Sequence, residues 1–224
     1  MGGIAEMFKP RFPVYETFVS IEGEGPRAGL LTTFVRFAGC NLDCSFCDTK
    51  YANEADTPTV MHTLYSLMDI IKHHGVRTVS LTGGEPMMQP RIFELIDTLL
   101  DNDFFVSMET NGSIPLTGLR SNVLVVMDIK SPSSGMSKRM HYENLGVLDM
   151  YDAVKFVVGD LNDLQNMVNV LYAYPTEANI YVSPVFGKIE LKTIAEFLTR
   201  MNAQNIRMQV QLHKIIWDPE AKGV

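Results

Sequence analysis

The 224-residue sequence predicts an α/β protein, a single domain spanning residues 1–224 and built as an incomplete βα barrel of about six parallel strands with reduced helices. Three observations lead there. Short runs rich in Val, Ile, Phe and Thr recur along the chain, several of them almost continuously apolar, as expected of strands buried on both faces. They alternate with helical patterns, which implies parallel strands joined by right-handed crossovers. About six such units are too few to close an eight-stranded barrel, and a hydrophobic content of 46% over this length supplies one core.

The strand candidates are residues 32–38, 78–82, 104–109, 123–130, 153–158, 179–184 and 207–212. The helical candidates are residues 61–74, 91–101, 160–173 and 189–201. In the first helix Leu64, Leu67, Met68 and Ile71 recur at i, i+3, i+4 and i+7, and Gly75 is placed to stop it. In the third, Leu161, Leu164, Met167, Val168 and Leu171 form a second stripe. The polar motifs follow the strands: Cys40 to Cys47 after the first, Gly83-Gly84-Glu85-Pro86 after the second, Glu109-Thr110-Asn111 at the third, Lys130-Ser131-Pro132 at the fourth. In a parallel barrel these lie at one end, where active sites form.

Composition narrows the function. With 19 Lys and Arg against 26 Asp and Glu the formal net charge is −7, which argues against direct contact with nucleic acid. No run approaches the roughly 18 apolar residues of a membrane span, and residues 1–13 lack the apolar core of a secretory leader. Thiols without partners fit a reducing compartment, so the expected location is cytoplasmic. The 14 methionines read as adaptable core filler, some of them suited to a soft ligand pocket.

The chemistry centres on Cys40-Asn41-Leu42-Asp43-Cys44-Ser45-Phe46-Cys47, which holds all three cysteines of the chain. An odd count cannot close into internal disulfides, and tetrahedral zinc normally takes four protein ligands. Three thiolates suit a cubane iron–sulfur cluster with one iron left open. Next in weight is Thr82-Gly83-Gly84-Glu85-Pro86, where glycine allows close backbone approach. Its carbonyls and the Glu85 carboxylate are expected to suit a positively charged amine.

Together these motifs resemble the radical S-adenosylmethionine (SAM) superfamily. Within it the chain is similar to the family that makes 7-carboxy-7-deazaguanine in the deazapurine (queuosine) pathway. The matching segments are Phe18-Val19-Ser20-Ile21-Glu22-Gly23-Glu24-Gly25, Phe34-Val35-Arg36-Phe37-Ala38-Gly39-Cys40 and Cys47-Asp48-Thr49. Further on come the Gly-Gly-Glu-Pro turn, Glu109-Thr110-Asn111-Gly112, Lys130-Ser131-Pro132-Ser133, Ser183-Pro184-Val185-Phe186-Gly187 and His213-Lys214. The resemblance implies a radical SAM core and conversion of 6-carboxy-5,6,7,8-tetrahydropterin to 7-carboxy-7-deazaguanine with release of ammonia. It implies a 4Fe-4S cluster on Cys40, Cys44 and Cys47, and SAM against Phe46, Cys47, Asp48, Gly84, Glu109, Ser131, Pro132, Ser133, Ser183, Pro184, Val185 and Phe186. Substrate would meet Ile21, Glu22, Gly23, Arg36, Thr82 and His213, and the Thr49 hydroxyl would ligate Mg²⁺. Cys40, Cys44, Cys47, Thr49 and Glu109 would form the catalytic set. A homodimer and an electron donor such as flavodoxin are implied in the same way.

Several residues admit a second reading. Arg36 is either a pocket group or an ion-pair partner, Thr49 either faces the site or caps a turn, and His213, near the end of the last strand, is either a core histidine or a pocket wall. Lys155 stands in an apolar strand, where it either snorkels or neutralises a ligand carboxylate. Two other functions share the cysteine motif. A glycyl-radical-enzyme activase usually follows its last cysteine with His-Asn, where this chain has Asp48-Thr49. A non-catalytic metal-cluster protein would ignore added SAM.

Overall fold

The computed structural model describes residues 12–54 and 56–224. Residues 1–11, most of the segment read for a leader, lie outside the described residues. One sheet of nine strands runs in the order β3-β1-β2-β4-β5-β6-β7-β8-β9. β1 (Phe12–Ile21) is antiparallel to both β2 (Leu31–Phe37) and β3 (Val60–His62). From β2 onward all pairings are parallel, through β4 (Thr78–Gly83), β5 (Phe105–Thr110), β6 (Leu124–Lys130), β7 (Ala153–Val158), β8 (Asn179–Pro184) and β9 (Ile206–Met208). The parallel run is thus seven strands long.

Helices cover four of the crossovers. α1 (Leu64–His73) buries Leu64, Leu67, Met68 and Ile71, the stripe read from the sequence. A capping box between Thr63 and Ser66 fixes its start, and Gly75, at φ +70°, follows its end. α2 (Ile92–Asp101) buries Ile92, Leu95, Ile96 and Leu99. α3 (Leu161–Ala173) is capped by Asp160, whose side chain accepts the Asp163 N–H at 2.9 Å. α4 (Leu191–Arg200) buries Ile194. Between β5 and β6 the chain passes through irregular turns without any helix, and between β6 and β7 three short 3-10 turns take the place of an α-helix.

The structure departs from the sequence reading at three places. β1 is an added antiparallel strand, in which Pro13 and the polar run Tyr15-Glu16-Thr17 weaken the apolar signal. The predicted helix at 61–74 gives up Met61 and His62 to β3, because the capping box at Thr63 sets a later start. The last strand stops at Met208 instead of Leu212. His213 therefore lies on a short helix, α5 (His213–Ile216), and not in a strand.

The sheet curls. β1 and β9 flank opposite sides of the sheet order, yet the loop after β1 meets the segment after β9. Leu212 N–H donates to the Gly23 carbonyl at 3.2 Å, and Gly25 N–H donates to Gln209 Oε1 at 2.7 Å. A Cβ at Gly23 would overlap the His213 ring. These contacts bridge the gap that an incomplete barrel leaves open.

The exits of β2 and β4 are locked together by glycine. Gly83 sits at φ +118°, and a Cβ there would overlap the Phe37 backbone. At Gly84 a Cβ would overlap the Gly39 carbonyl, immediately before the first cysteine. In return Gly84 N–H donates to Phe37 O at 3.0 Å and Glu85 N–H to Gly39 O at 2.9 Å. Gly84→Ala is expected to cost about 1–3 kcal/mol or more in urea denaturation of the metal-free protein, since backbone must move to admit one methyl. A cost within a few tenths would show that the two exits are free to separate.

Candidate functional site

The cysteine segment leaves β2 and is pinned on three sides. Gly39 N–H donates to Ala52 O at 3.2 Å, Ser45 N–H to Ser134 O at 3.0 Å, and Ser45 Oγ to Ser133 O at 2.8 Å. Cys44 is buried; Cys40 and Cys47 are half-buried. Leu42 N–H and Asn111 Nδ2 each donate to Cys40 Sγ at 3.5 Å, and Thr49 Oγ1 lies 3.5 Å from Cys47 Sγ. Burial pushes the Cys40 and Cys44 thiols up. Thiolates in such a place are stable only beside a cation, which is what iron supplies. Among the described residues no group of three or more His, Cys, Asp or Glu is arranged to hold a single metal ion. Three cysteines on one loop, with N–H donors already aimed at sulfur, fit the wider spacing of a multi-iron cluster.

The glutamate of the Gly-Gly-Glu-Pro turn corrects an expectation. Glu85 is fully buried and accepts from Thr110 Oγ1 at 2.7 Å, Asn111 N–H at 2.7 Å and Met87 N–H at 2.9 Å. It ties the exit of β4 to that of β5 and does not face a ligand amine. The reason is saturation: neighbouring donors already engage both of its oxygens.

Above the strand ends lies a cavity of about 230 Å³. Its charged wall follows from the strand register. β1, β2 and β4 align Glu16, Arg36 and Thr82 across three strands. Glu16 Oε1 accepts Arg36 Nε at 2.8 Å, and Thr82 Oγ1 donates to Glu109 Oε2 on β5 at 2.6 Å. On β6 and β7 the register pairs Asp128 with Lys155. Lys155 Nζ lies 2.7 Å from Glu24 Oε2 and 3.1 Å from Asp128 Oδ1, and Lys130 Nζ lies 2.9 Å from Asp128 Oδ2. Burial alone would lower the Lys155 ammonium, but Asp128, Glu24 and Glu109 hold it well above its usual range. It is therefore a buried cation that stays charged.

Glu22 behaves in the opposite way. It is 5% exposed, and burial, followed by repulsion from Glu109 and Glu24, pushes its carboxyl up to about 8. Burial raises Glu109 as well, against the pull of Lys155. At neutral pH Glu22 is an acid group in its neutral form.

Most residues singled out in the sequence line this one cavity: Cys40, Cys44, Cys47, Thr49, Phe46, Asp48, Gly84, Glu109, Val185, Phe186, Ile21, Glu22, Gly23, Arg36, Thr82 and His213. Five do not line it. Ser131 Oγ donates to Val157 O at 2.9 Å, while Ser133 gives its N–H (3.0 Å) and its hydroxyl to Asp163. Pro132 begins the turn between them, Ser183 is fully buried with an unpartnered hydroxyl, and Pro184 ends β8. Arg36 unites its two readings, being both ion-paired and at the cavity. Thr49 begins a 3-10 turn, but its side chain makes no cap hydrogen bond. His213 is a wall group on α5, with burial lowering its imidazole.

Sequence reasoning gave no role to Glu24, Asp128, Lys130, Tyr51 and Lys214, all of which line the cavity, although it placed Lys130 among the motifs at the strand exits. Two of these left a signal. Asp128 and Lys130 are charged residues two apart in an otherwise apolar strand, so they share one face. Lys214 was legible only through its neighbour; it reaches Asp48 Oδ2 at 3.4 Å.

A family model for the radical SAM superfamily matches residues 34–155, and the chain belongs to that superfamily. The parallel sheet with its cysteine loop at the strand ends is the architecture of such proteins. The 7-carboxy-7-deazaguanine synthase of Clostridium acetobutylicum is 42% identical over 219 residues, covering 95% of this chain and 99% of that one. Its counterpart from Methanospirillum hungatei is 39% identical, covering 92% and 86%. The crystal structure of QueE from Escherichia coli superposes with a TM-score of 0.69 at 23% identity, covering 90% of this chain and 94% of that chain, and so supports the fold. The chain belongs to the 7-carboxy-7-deazaguanine synthase family, a radical SAM family of queuosine biosynthesis, which sets aside the activase and scaffold alternatives. As radical SAM proteins, its members work with a 4Fe-4S cluster and SAM. Among the described residues no helix is long and apolar enough to cross a membrane.

The neutral Glu22 makes stability depend on pH. Its folded value lies above its ordinary 4.5, so its contribution is complete below about pH 4.5 and drains away as pH rises toward 8. Glu22→Gln removes that loss. The urea midpoint of the metal-free variant should gain on the parent between pH 5 and 8, by at most about 1.4 kcal/mol per pH unit, and the gap should level off above pH 8. Parallel curves would show that Glu22 is ionised throughout.

Proposed function

We propose that this chain converts 6-carboxy-5,6,7,8-tetrahydropterin to 7-carboxy-7-deazaguanine with release of ammonia. The observation that carries this reading is that a single cavity is lined both by the three cysteines and by Arg36, Thr82, Glu109 and Glu22. A redox centre and a polar substrate wall share one enclosure. Membership of the synthase family supports the same assignment.

The residues fit the groups the reaction requires. Cys40, Cys44 and Cys47 would hold the cluster, with Gly84, Phe46, Asp48, Val185 and Phe186 placed to receive SAM. When bound, cluster and SAM supply one-electron cleavage of a sulfonium, drawing the electron from a donor such as flavodoxin. The protein's own part is to bind, orient and exclude water, because a carbon radical attacks C–H bonds with little discrimination. Arg36, oriented through Nε by Glu16, presents a guanidinium to the substrate carboxylate. Thr49 would offer its hydroxyl to Mg²⁺, a hard cation that accepts one protein oxygen together with substrate oxygens and water.

Anaerobic reconstitution should give about four irons per chain. Cys44→Ala should lose both the cluster and SAM cleavage. Incubation with the carboxytetrahydropterin, SAM, Mg²⁺ and dithionite should yield the deazapurine acid by mass and one ammonia per turnover; SAM cleavage with the pterin unchanged would refute the substrate. Thr49→Ala should blunt the response to added Mg²⁺ and leave iron content intact, and an unaltered response would make Thr49 purely structural.

A further inference from the structure

Glu24 stands in the loop after β1, and the reaction as read above gives it no part. Its side chain is 12% exposed and lines the cavity. Oε2 takes the Lys155 ammonium at 2.7 Å, while Oε1 is buried without any hydrogen-bonding partner. A desolvated carboxylate oxygen is costly unless some donor reaches it. The loop cannot readily swing that oxygen elsewhere: Gly25 is clamped by Gln209 through Gly25 N–H to Oε1 at 2.7 Å and Nε2 to Gly25 O at 3.2 Å. Lys155 is 5% exposed and can only donate, so it decides which oxygen of Glu24 remains free. The neighbouring Glu22 differs: its Oε1 accepts the Gly23 N–H at 3.0 Å, and neither of its oxygens is buried without a partner.

We propose that Glu24 is a substrate-binding residue whose Oε1 accepts an N–H from the substrate, and that Lys155 is the positioning residue that aims it. The inference rests on the pterin reading above. A tetrahydropterin carries N–H donors on its 2-amino group and its ring nitrogens, which suits an acceptor with nothing else to bind. Glu24 would then be a group through which the cavity selects an N–H-rich heterocycle over other small carboxylic acids.

The test is equilibrium binding of 6-carboxytetrahydropterin to the cluster-loaded enzyme with SAM and Mg²⁺ present and no reductant, so that nothing turns over. In Glu24→Gln the amide oxygen must face Lys155, which leaves the NH₂ group opposing the substrate N–H. Affinity should fall at least tenfold, while iron content and SAM affinity stay at parental values. Lys155→Met should lose affinity to a similar degree, and the double variant should bind no more weakly than the worse single one. Glu24→Gln within twofold of the parent overturns the inference, as does a loss accompanied by lost iron or lost SAM binding. Additive losses in the double variant overturn the positioning role of Lys155. Failure of the unaltered enzyme to bind the pterin strikes the proposed reaction instead.

Discussion

The close approach of Gly84 to the Gly39 carbonyl is the constraint on which the site depends. Two neighbouring parallel strands deliver their exits to the same point, and only the absence of a side chain lets the backbones meet. That contact sets where the cysteine loop begins relative to the turn beside it. Glu85 extends the same frame one strand further by binding Thr110 and Asn111, and Asn111 reaches back to Cys40. The cysteines are thus positioned by backbone and buried hydrogen bonds, not by their own packing. A redox centre gains from such rigidity because its donors need not reorganise when charge moves.

A second layer of order is electrostatic. Glu22, Glu24, Glu109 and Asp128 crowd one cavity with Lys130, Lys155 and Arg36. Burial would neutralise most of these groups if each stood alone. The register instead interleaves acids and bases, so that Asp128 is flanked by two lysines and Glu24 by one. At Glu22 burial and the nearby carboxylates of Glu109 and Glu24 outweigh the pull of Lys155, and the proton is held to higher pH. The wall therefore offers both charged and neutral acceptors within one enclosure, a mixture that a flat, solvated surface could not maintain.

Much of this was legible in the sequence for identifiable reasons. Near-continuous apolar runs marked the parallel strands, and the 3.6-residue stripe at Leu64, Leu67, Met68 and Ile71 marked α1, because burial on a sheet leaves those imprints. Motifs at strand exits could be gathered into one site because a parallel barrel has only one such end. What stayed hidden depended on contacts distant in sequence. Glu85 looked like a ligand group because its saturation by Thr110 and Asn111 lies across a strand. Ser131 and Ser133 looked like cofactor contacts because their acceptors, Val157 and Asp163, are some thirty residues further on. Glu24 was visible only as part of a matching segment, because its partner Lys155 lies 131 residues further on. β1 escaped because its interior strand position coexists with a half-polar sequence.

The bonds around Ser45 carry a further consequence. Ser45 holds Ser133 and Ser134, Ser133 holds Asp163 in the first turn of α3, and Asp163 also accepts the Gly159 N–H at 2.7 Å. Tension in the cysteine loop therefore reaches the first turn of α3 through a short chain of hydroxyls and amides. Oxidative destruction of the inorganic core would loosen the start of that helix, whose residues include no cysteine. Damage to the cofactor would then be legible as softened amide protection in a place that never touches iron.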